Sequence, residues 1–155
     1  MFTQQQIEEL VDLLYTLDNS TKIYLGCDSV RFVRNGRKYA RYATVAIVHI
    51  NGKNGCKIFS SKTIEPDYDL KKNRPSIRLM NEVMKVCELY NQLAPLIDQF
   101  PIEIHLDLNT DPVHGSNCVA AQAAGYVVGV TGLEPKLKPF SWAASFGADA
   151  VVNGK

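Results

Sequence analysis

Cysteine is scarce and poorly spaced for chemistry. The four thiols, Cys27, Cys56, Cys87 and Cys118, form no Cys-x-x-Cys pair, which argues against a zinc knuckle. Free, mostly buried thiols in a reducing compartment are expected instead, and with them a cytoplasmic location. Long hydrophobic runs are also missing, and none approaches the roughly 18 residues of a membrane span. The opening stretch, Met1 to Leu10, has neither a basic n-region nor an apolar h-region, so no signal peptide is expected. Nor does one sign of charge prevail. Seventeen Lys and Arg against sixteen Asp and Glu leave a net charge of +1. That excludes a strongly basic nucleic-acid coat or an acidic buffer, but not a local basic patch. Internal repeats, low-complexity tracts, linkers and a Gly-rich phosphate loop are all lacking.

What remains is a chain of 155 residues, 46% hydrophobic and 21% charged. That is ordinary for one folded domain, here taken as residues 1–155. Ile7, Leu10, Val11, Leu14 and Leu17 recur at helical spacing, so residues 4–17 read as an amphipathic leading helix within segment 1–20. Such a helix could pack on its own sheet or on a partner, and oligomeric state is open. Strands are expected over 22–28, 39–50 and 56–64. Asn35-Gly36 is the strongest hairpin signal, and Asn51-Gly52 with Asn54-Gly55 mark a second reversal. A long helix is expected over 75–94 and a fourth strand over 102–108. A short helix should follow, capped by Ser116, carried by Ala120, Ala121, Ala123 and Ala124 and stopped at Gly125. A fifth strand is expected over 126–131 and a last helix from Ser141 toward Val152. The expected fold is therefore α/β with a mixed five-stranded sheet. β1–β3 would form an antiparallel meander, strands four and five would run parallel to the first, and helices would cover both faces.

Acids occupy positions where acids are costly. Alternation puts Asp28 on one face with Tyr24 and Gly26, and Asp107 on one face with Glu103 and His105. If strands one and four are neighbours, the two carboxylates can meet at the strand ends. The plain alternative is that each caps a turn. On the long helix, at about 100° per residue from Leu79, Glu82 falls near 300°, inside the apolar stripe. An acid facing a sheet needs a cation, a metal or a proton. Asp149 follows Trp142 and Phe146 at helical spacing and is expected on the face of those two aromatics. Four inward carboxylates from two strands and two helices suit Mg²⁺ or Mn²⁺, two ions of which can clamp a phosphodiester.

This order of elements and acids resembles the RNase H fold and, more narrowly, the YkuK-like family of RNase H-related nucleases. The resemblance rests on Leu25-Gly26-Cys27-Asp28-Ser29, Asn81-Glu82, His105 to Asn109 and Gly129 to Leu133. Lys138-Pro139, Ser141, Ala143-Ala144 and Ala148-Asp149 complete it, so that it spans residues 22–152. It implies an RNase H-like domain with a two-metal-ion nuclease site on Asp28, Glu82, Asp107 and Asp149. The implied products carry 5′-phosphate and 3′-hydroxyl ends. One departure is that Asp28-Ser29-Val30 lacks the Asp-x-Glu of the superfamily's exonucleases.

Basic residues cluster near this site. Arg31, Arg34, Arg37, Lys38 and Arg41 surround the first hairpin, Lys71, Lys72, Arg74 and Arg78 the start of the long helix, and Lys136 and Lys138 precede the last helix. Arg34, Arg37, Lys72, Arg74 and Lys138 are the candidate phosphate contacts. Tyr39, Tyr42, Tyr68 and Trp142 are candidates for base stacking or for packing. Asp111 and His114 are auxiliary candidates, as an extra ligand and a proton shuttle. His105 reads as a core histidine rather than a ligand. The expected function is metal-dependent hydrolysis of RNA, RNA–DNA hybrid or DNA. The alternatives are a non-catalytic RNase H-fold module that grips nucleic acid or a protein, and a nucleotide-hydrolysing protein akin to the actin-like ATPases. No membrane partner is expected.

Overall fold

The computed structural model describes residues 1–69, 76–111, 113–114 and 119–154. Its first element, α1 (Gln4–Leu14), begins with a capping box in which the Thr3 and Gln6 side chains each bond the other's backbone N–H. Ile7, Leu10 and Leu14 are its buried face and join the main hydrophobic core, so the leading helix packs on its own chain.

Next come β1 (Lys22–Arg34) and β2 (Arg37–His49), joined at Asn35-Gly36. Both turn residues have positive φ, 52° and 75°, as a two-residue hairpin with type I′ twist requires, and Asn-Gly tolerates that conformation best. β1 runs six residues beyond the expected 22–28, because the ladder continues to Arg34–Arg37. β3 (Cys56–Pro66) completes the antiparallel meander. α2 (Ser76–Leu93) then leads to β4 (Ile102–Leu106), which lies parallel to β1 and gives the sheet order β3-β2-β1-β4.

The sheet is mixed, but it has four strands, not five. The 126–131 segment is the second half of α3 (Ala120–Thr131). Gly125 does not end that helix. Its C-cap is Gly132, at φ 74°. Ala120, Ala123 and Val127 are buried at helical spacing, so packing overrides the strand preference of a Tyr-Val-Val run. Residues 136–138 take the place expected for the fifth strand. Lys136 makes a single parallel bridge to His105, and the Lys138 N–H donates to the Leu108 carbonyl at 3.0 Å. Ser116, expected as a cap, lies outside the described residues.

Alternation sorts the sheet into two faces. Ile23, Leu25, Cys27, Tyr42, Ala46 and Val48 belong to the large core, with α1, α2 and α3. Val45 and Ile47 face a smaller cluster with Ala143 and Ala148 on the other side. That second cover is a π-helical turn, Ala143–Ala148, followed by α4 (Asp149–Val152). It sits close because Gly26 has no side chain. A Cβ there would lie 2.7 Å from the Ala144 nitrogen. The wider turn breaks the expected single face for Trp142, Phe146 and Asp149. Trp142 packs on Tyr24 and His105, with ring centroids 4.6 and 5.5 Å apart. Phe146 is 72% exposed. Of the cysteines described, Cys27 and Cys87 are buried and Cys56 is exposed.

Candidate active site

Asp28 and Asp107 are brought together by strand register. β1 and β4 pair from Ile23–Ile102 to Cys27–Leu106, so the next step along both chains sets Asp28 beside Asp107. Parity puts both on the face covered by the π turn and α4. From that cover Asp149 reaches Asp28 and shares a hydrogen bond with it. Asp28 is 9% exposed. Burial, followed by the charge of Asp107, raises its carboxyl from 3.8 to about 7; Asp149 adds to the rise, and the Ser29 backbone N–H opposes it. Asp107 accepts from the Ser145 hydroxyl at 3.0 Å and pairs with the Lys138 ammonium at 2.9 Å.

Glu82 stands apart from this trio. It lies on the buried stripe of α2 as its helical position requires, 4% exposed. α2, however, covers the sheet face opposite to Asp28. Ser29, on that face, donates its hydroxyl to Glu82 Oε1 at 2.5 Å, and Arg78 Nη1 lies 3.5 Å from the same oxygen. Burial and then the charge of Asp28 push the Glu82 carboxyl well above the ordinary carboxylate range, while Ser29 and Arg78 pull it back. Among the described residues no three His, Cys, Asp or Glu side chains already stand as a metal-holding group. The four carboxylates are thus electrostatic neighbours, three on one face of the sheet and one on the other.

The basic candidates divide. Arg34 and Arg37 are exposed on the hairpin, and Lys138 is half exposed on Asp107. Lys72 and Arg74 lie outside the described residues. Arg31 is held on the α2 side by Asp67 at 2.8 Å and Asp69 at 3.2 Å, and Arg78 is held by Ser29 and Glu82. Tyr42 is buried, its hydroxyl accepting from Asn81, and Trp142 is packed, whereas Tyr68 is exposed. Asp111 accepts from the Val113 N–H and its loop carbonyl bonds the His114 N–H, so its hydrogen bonds close an exposed turn. His105 is fully buried. Burial lowers its pKa, and its Nδ1 accepts from the Ala143 N–H at 3.0 Å, which leaves Nε2 to donate to Glu103 at 2.8 Å. It therefore docks the π turn onto β4.

Three neighbours of the acids were not foreseen as such. Ser145 precedes Asp149 by four residues, a helical spacing that could have marked it. Ser29 follows Asp28 directly, and its contact with Glu82 depends on which helix covers that face. Asp69 accepts from the N–H groups of Ile77 and Arg78 at the start of α2, at 2.8 and 2.9 Å. It caps from outside the usual local position, which conceals it in the sequence.

A mixed sheet with a three-stranded meander, a β4 that lies parallel to β1, and acids at the β1–β4 junction defines the ribonuclease H-like class. The family model described as Ribonuclease H-like matches residues 4–152, and the chain belongs to that family. No curated protein and no solved structure matches it. Among the described residues, no helix is long and apolar enough to cross a membrane.

Proposed function

We propose that this chain is a divalent-metal-dependent nuclease that hydrolyses phosphodiester bonds of RNA, RNA–DNA hybrid or DNA. The observation that carries the reading is Asp28, a nearly buried carboxyl midway along the inner strand β1, where β4 leaves it, raised to about 7 with Asp107 and Asp149 as its charged neighbours. A fold gains no stability from such an arrangement, and a cation relieves it. The donors are all carboxylate oxygens, which fits Mg²⁺ or Mn²⁺ and not a soft metal. Asp28, Asp107 and Asp149 would hold the ions, and Glu82 would contribute from beneath. When bound, such ions supply Lewis-acid stabilisation of charge on the phosphate and ease deprotonation of the attacking water.

The chain's own groups have definite tasks in this reading. Asp28 anchors the site on β1, an inner strand paired on both sides up to Cys27. Ser145 orients the Asp107 carboxylate. Ser29 and Arg78 hold Glu82 in one rotamer. Lys138, paired with Asp107, would free that carboxylate for a cation and is placed to contact a substrate phosphate. The test is cleavage of labelled single-stranded RNA, hybrid, single- and double-stranded DNA and a four-way junction, with Mg²⁺, Mn²⁺ or chelator. Metal-dependent cutting by the wild type, lost in Asp28→Asn, is expected. A folded protein that binds nucleic acid but cuts nothing in any metal would overturn the proposal in favour of a binding module.

A further inference from the structure

We propose that the β1–β2 hairpin arm, residues 30–41, is a track that delivers a single nucleic-acid strand to Asp28, gripping it through Phe32, Arg34, Arg37, Tyr39 and Arg41. This rests on the nucleic-acid reading above and names the substrate class. Five of these twelve residues are Arg or Lys and none is acidic. The arm extends past the rest of the sheet. β4 leaves β1 at Cys27, and β3 pairs with β2 only as far as Tyr39, so the outer part of the arm, residues 33–38, forms strand pairs only with itself.

Its two faces are electrostatically different. Cross-strand partners share a face, so Val30–Arg41, Phe32–Tyr39 and Arg34–Arg37 continue the face of Asp28. On the opposite face Arg31 is neutralised by Asp67 and Asp69. Among the described residues no carboxylate pairs with Arg34, Arg37 or Arg41. Three of the four arm cations left without a carboxylate among the described residues, Arg34, Arg37 and Arg41, therefore lie on the side of Asp28, while Lys38, opposite Val33, lies on the other face. The same Arg31 pairs, with the Asp67 N–H bonded to the Lys38 carbonyl at 3.0 Å, brace the arm so that little ordering is left for binding.

The active-site face of the arm carries flat groups as well as charge. Phe32 and Tyr39 stack at 5.6 Å with 22° between their planes. The Arg34 and Arg41 guanidiniums lie 5.4 and 5.3 Å from the Phe32 centroid. This ladder of rings and guanidiniums offers stacking surface to unpaired bases, whose faces a duplex hides. That face bears no Asn, Gln, Ser or Thr side chain to read base edges in a fixed pattern, so binding should tolerate any sequence. At about 3.3 Å per residue, Phe32 is about 13 Å and Arg34 about 20 Å along β1 from Asp28. At the roughly 3.4 Å rise of a stacked strand, the track spans about six nucleotides beyond the cut.

Binding is measured in chelator, where hydrolysis plays no part. Fluorescence anisotropy would follow 20-nucleotide single-stranded DNA and RNA, the matching duplex, and competition by polyglutamate, across a salt series. Single strands should bind more tightly than duplex. The triple variant Arg34→Ala, Arg37→Ala, Arg41→Ala should bind about tenfold more weakly, and the slope of log K on log salt should fall by about 2, from three phosphate contacts at ~0.7 each. Phe32→Leu with Tyr39→Leu should weaken single-strand binding at an unchanged slope, which an electrostatic role alone would not produce. An unchanged slope in the triple variant, a preference for duplex, or equal competition by polyglutamate would overturn the proposal. Tight arm-dependent binding without cleavage in any metal would sink the nuclease reading and leave the track standing. Cleavage with arm-independent binding would do the reverse.

Discussion

Replacing Asp28 by Asn should stabilise the metal-free protein, and the gain should depend on pH in a defined way. The folded carboxyl is raised from 3.8 to about 7 by burial, Asp107 and Asp149, so the folded state binds a proton that the unfolded state has released. Between the two values stability therefore falls as pH rises. Three units at about 1.36 kcal/mol each give an upper limit of about 4 kcal/mol above pH 7, which relaxation and water entry reduce. Asn mimics the neutral acid and does not titrate. Below about pH 3.8 wild type and variant should be nearly equal, and by pH 8 the variant should lead by about 2–4 kcal/mol. Urea melts of both proteins at pH 4, 6 and 8 in chelator measure this; titrating groups away from the site cancel in the difference, while Glu82, whose carboxyl the Asp28 charge helps to raise, adds to the variant's lead. Saturating Mg²⁺ at pH 8 should raise the wild-type midpoint and narrow the gap. A variant no more stable than wild type at pH 8, or one with the same advantage at pH 4, would refute the account of Asp28 as a strained carboxylate.

Gly26→Ala places a Cβ 2.7 Å from the Ala144 nitrogen and 2.8 Å from the Ala143 carbonyl carbon, both backbone. It should cost about 3 kcal/mol and displace the segment that carries Asp149. Gly147→Ala meets only the Ile47 Cδ1 tip, at 2.6 Å, and should cost clearly less; equal losses in urea melts would contradict the close-approach reading. Lys138→Met removes the ammonium 2.9 Å from Asp107. With about 1 kcal/mol per pair of unit like charges in aqueous surroundings and two charges on Mn²⁺, binding should tighten by up to about thirtyfold by titration calorimetry. Unchanged or weaker binding would show that Lys138 does not stand where a cation goes. Leu10→Ala in α1, fully buried in the main core, should cost about 2–5 kcal/mol, and a loss below 1 kcal/mol would argue that the leading helix is only loosely docked.

Much of the fold was legible because local chemistry and periodicity are strong here. Asn35-Gly36 specifies its hairpin by the positive φ both residues accept. The α2 stripe was readable at 3.6-residue period, including the misplaced Glu82. The error at 126–131 arose where two local preferences conflict. Tyr126, Val127 and Val128 favour a strand, but Ala120, Ala123 and Val127 form a helical stripe that meets α2, and burial of that stripe decides. The straight last helix failed for a similar reason, since nothing in residues 143–148 announces a π turn. It arises where that backbone settles on Gly26 and accepts docking by His105.

The candidate site divides along the same line. Sequence alone put Glu82 in the apolar stripe of α2 and sorted Asp28 and Asp107 onto definite strand faces, because strand alternation and helical period are local properties of the chain. It also determined that the first hairpin carries unbalanced positive charge. Only the tertiary structure decided that Asp28, Asp107 and Asp149 share one side of the sheet while Glu82 bonds Ser29 on the other. It likewise decided that Arg31 and Arg78 are spent on acids while Arg34, Arg37 and Arg41 are not. Those outcomes depend on which face each helix covers and on which distant carboxylate meets which cation. Period and propensity carry no information about either, because both are set by packing between segments far apart in the chain.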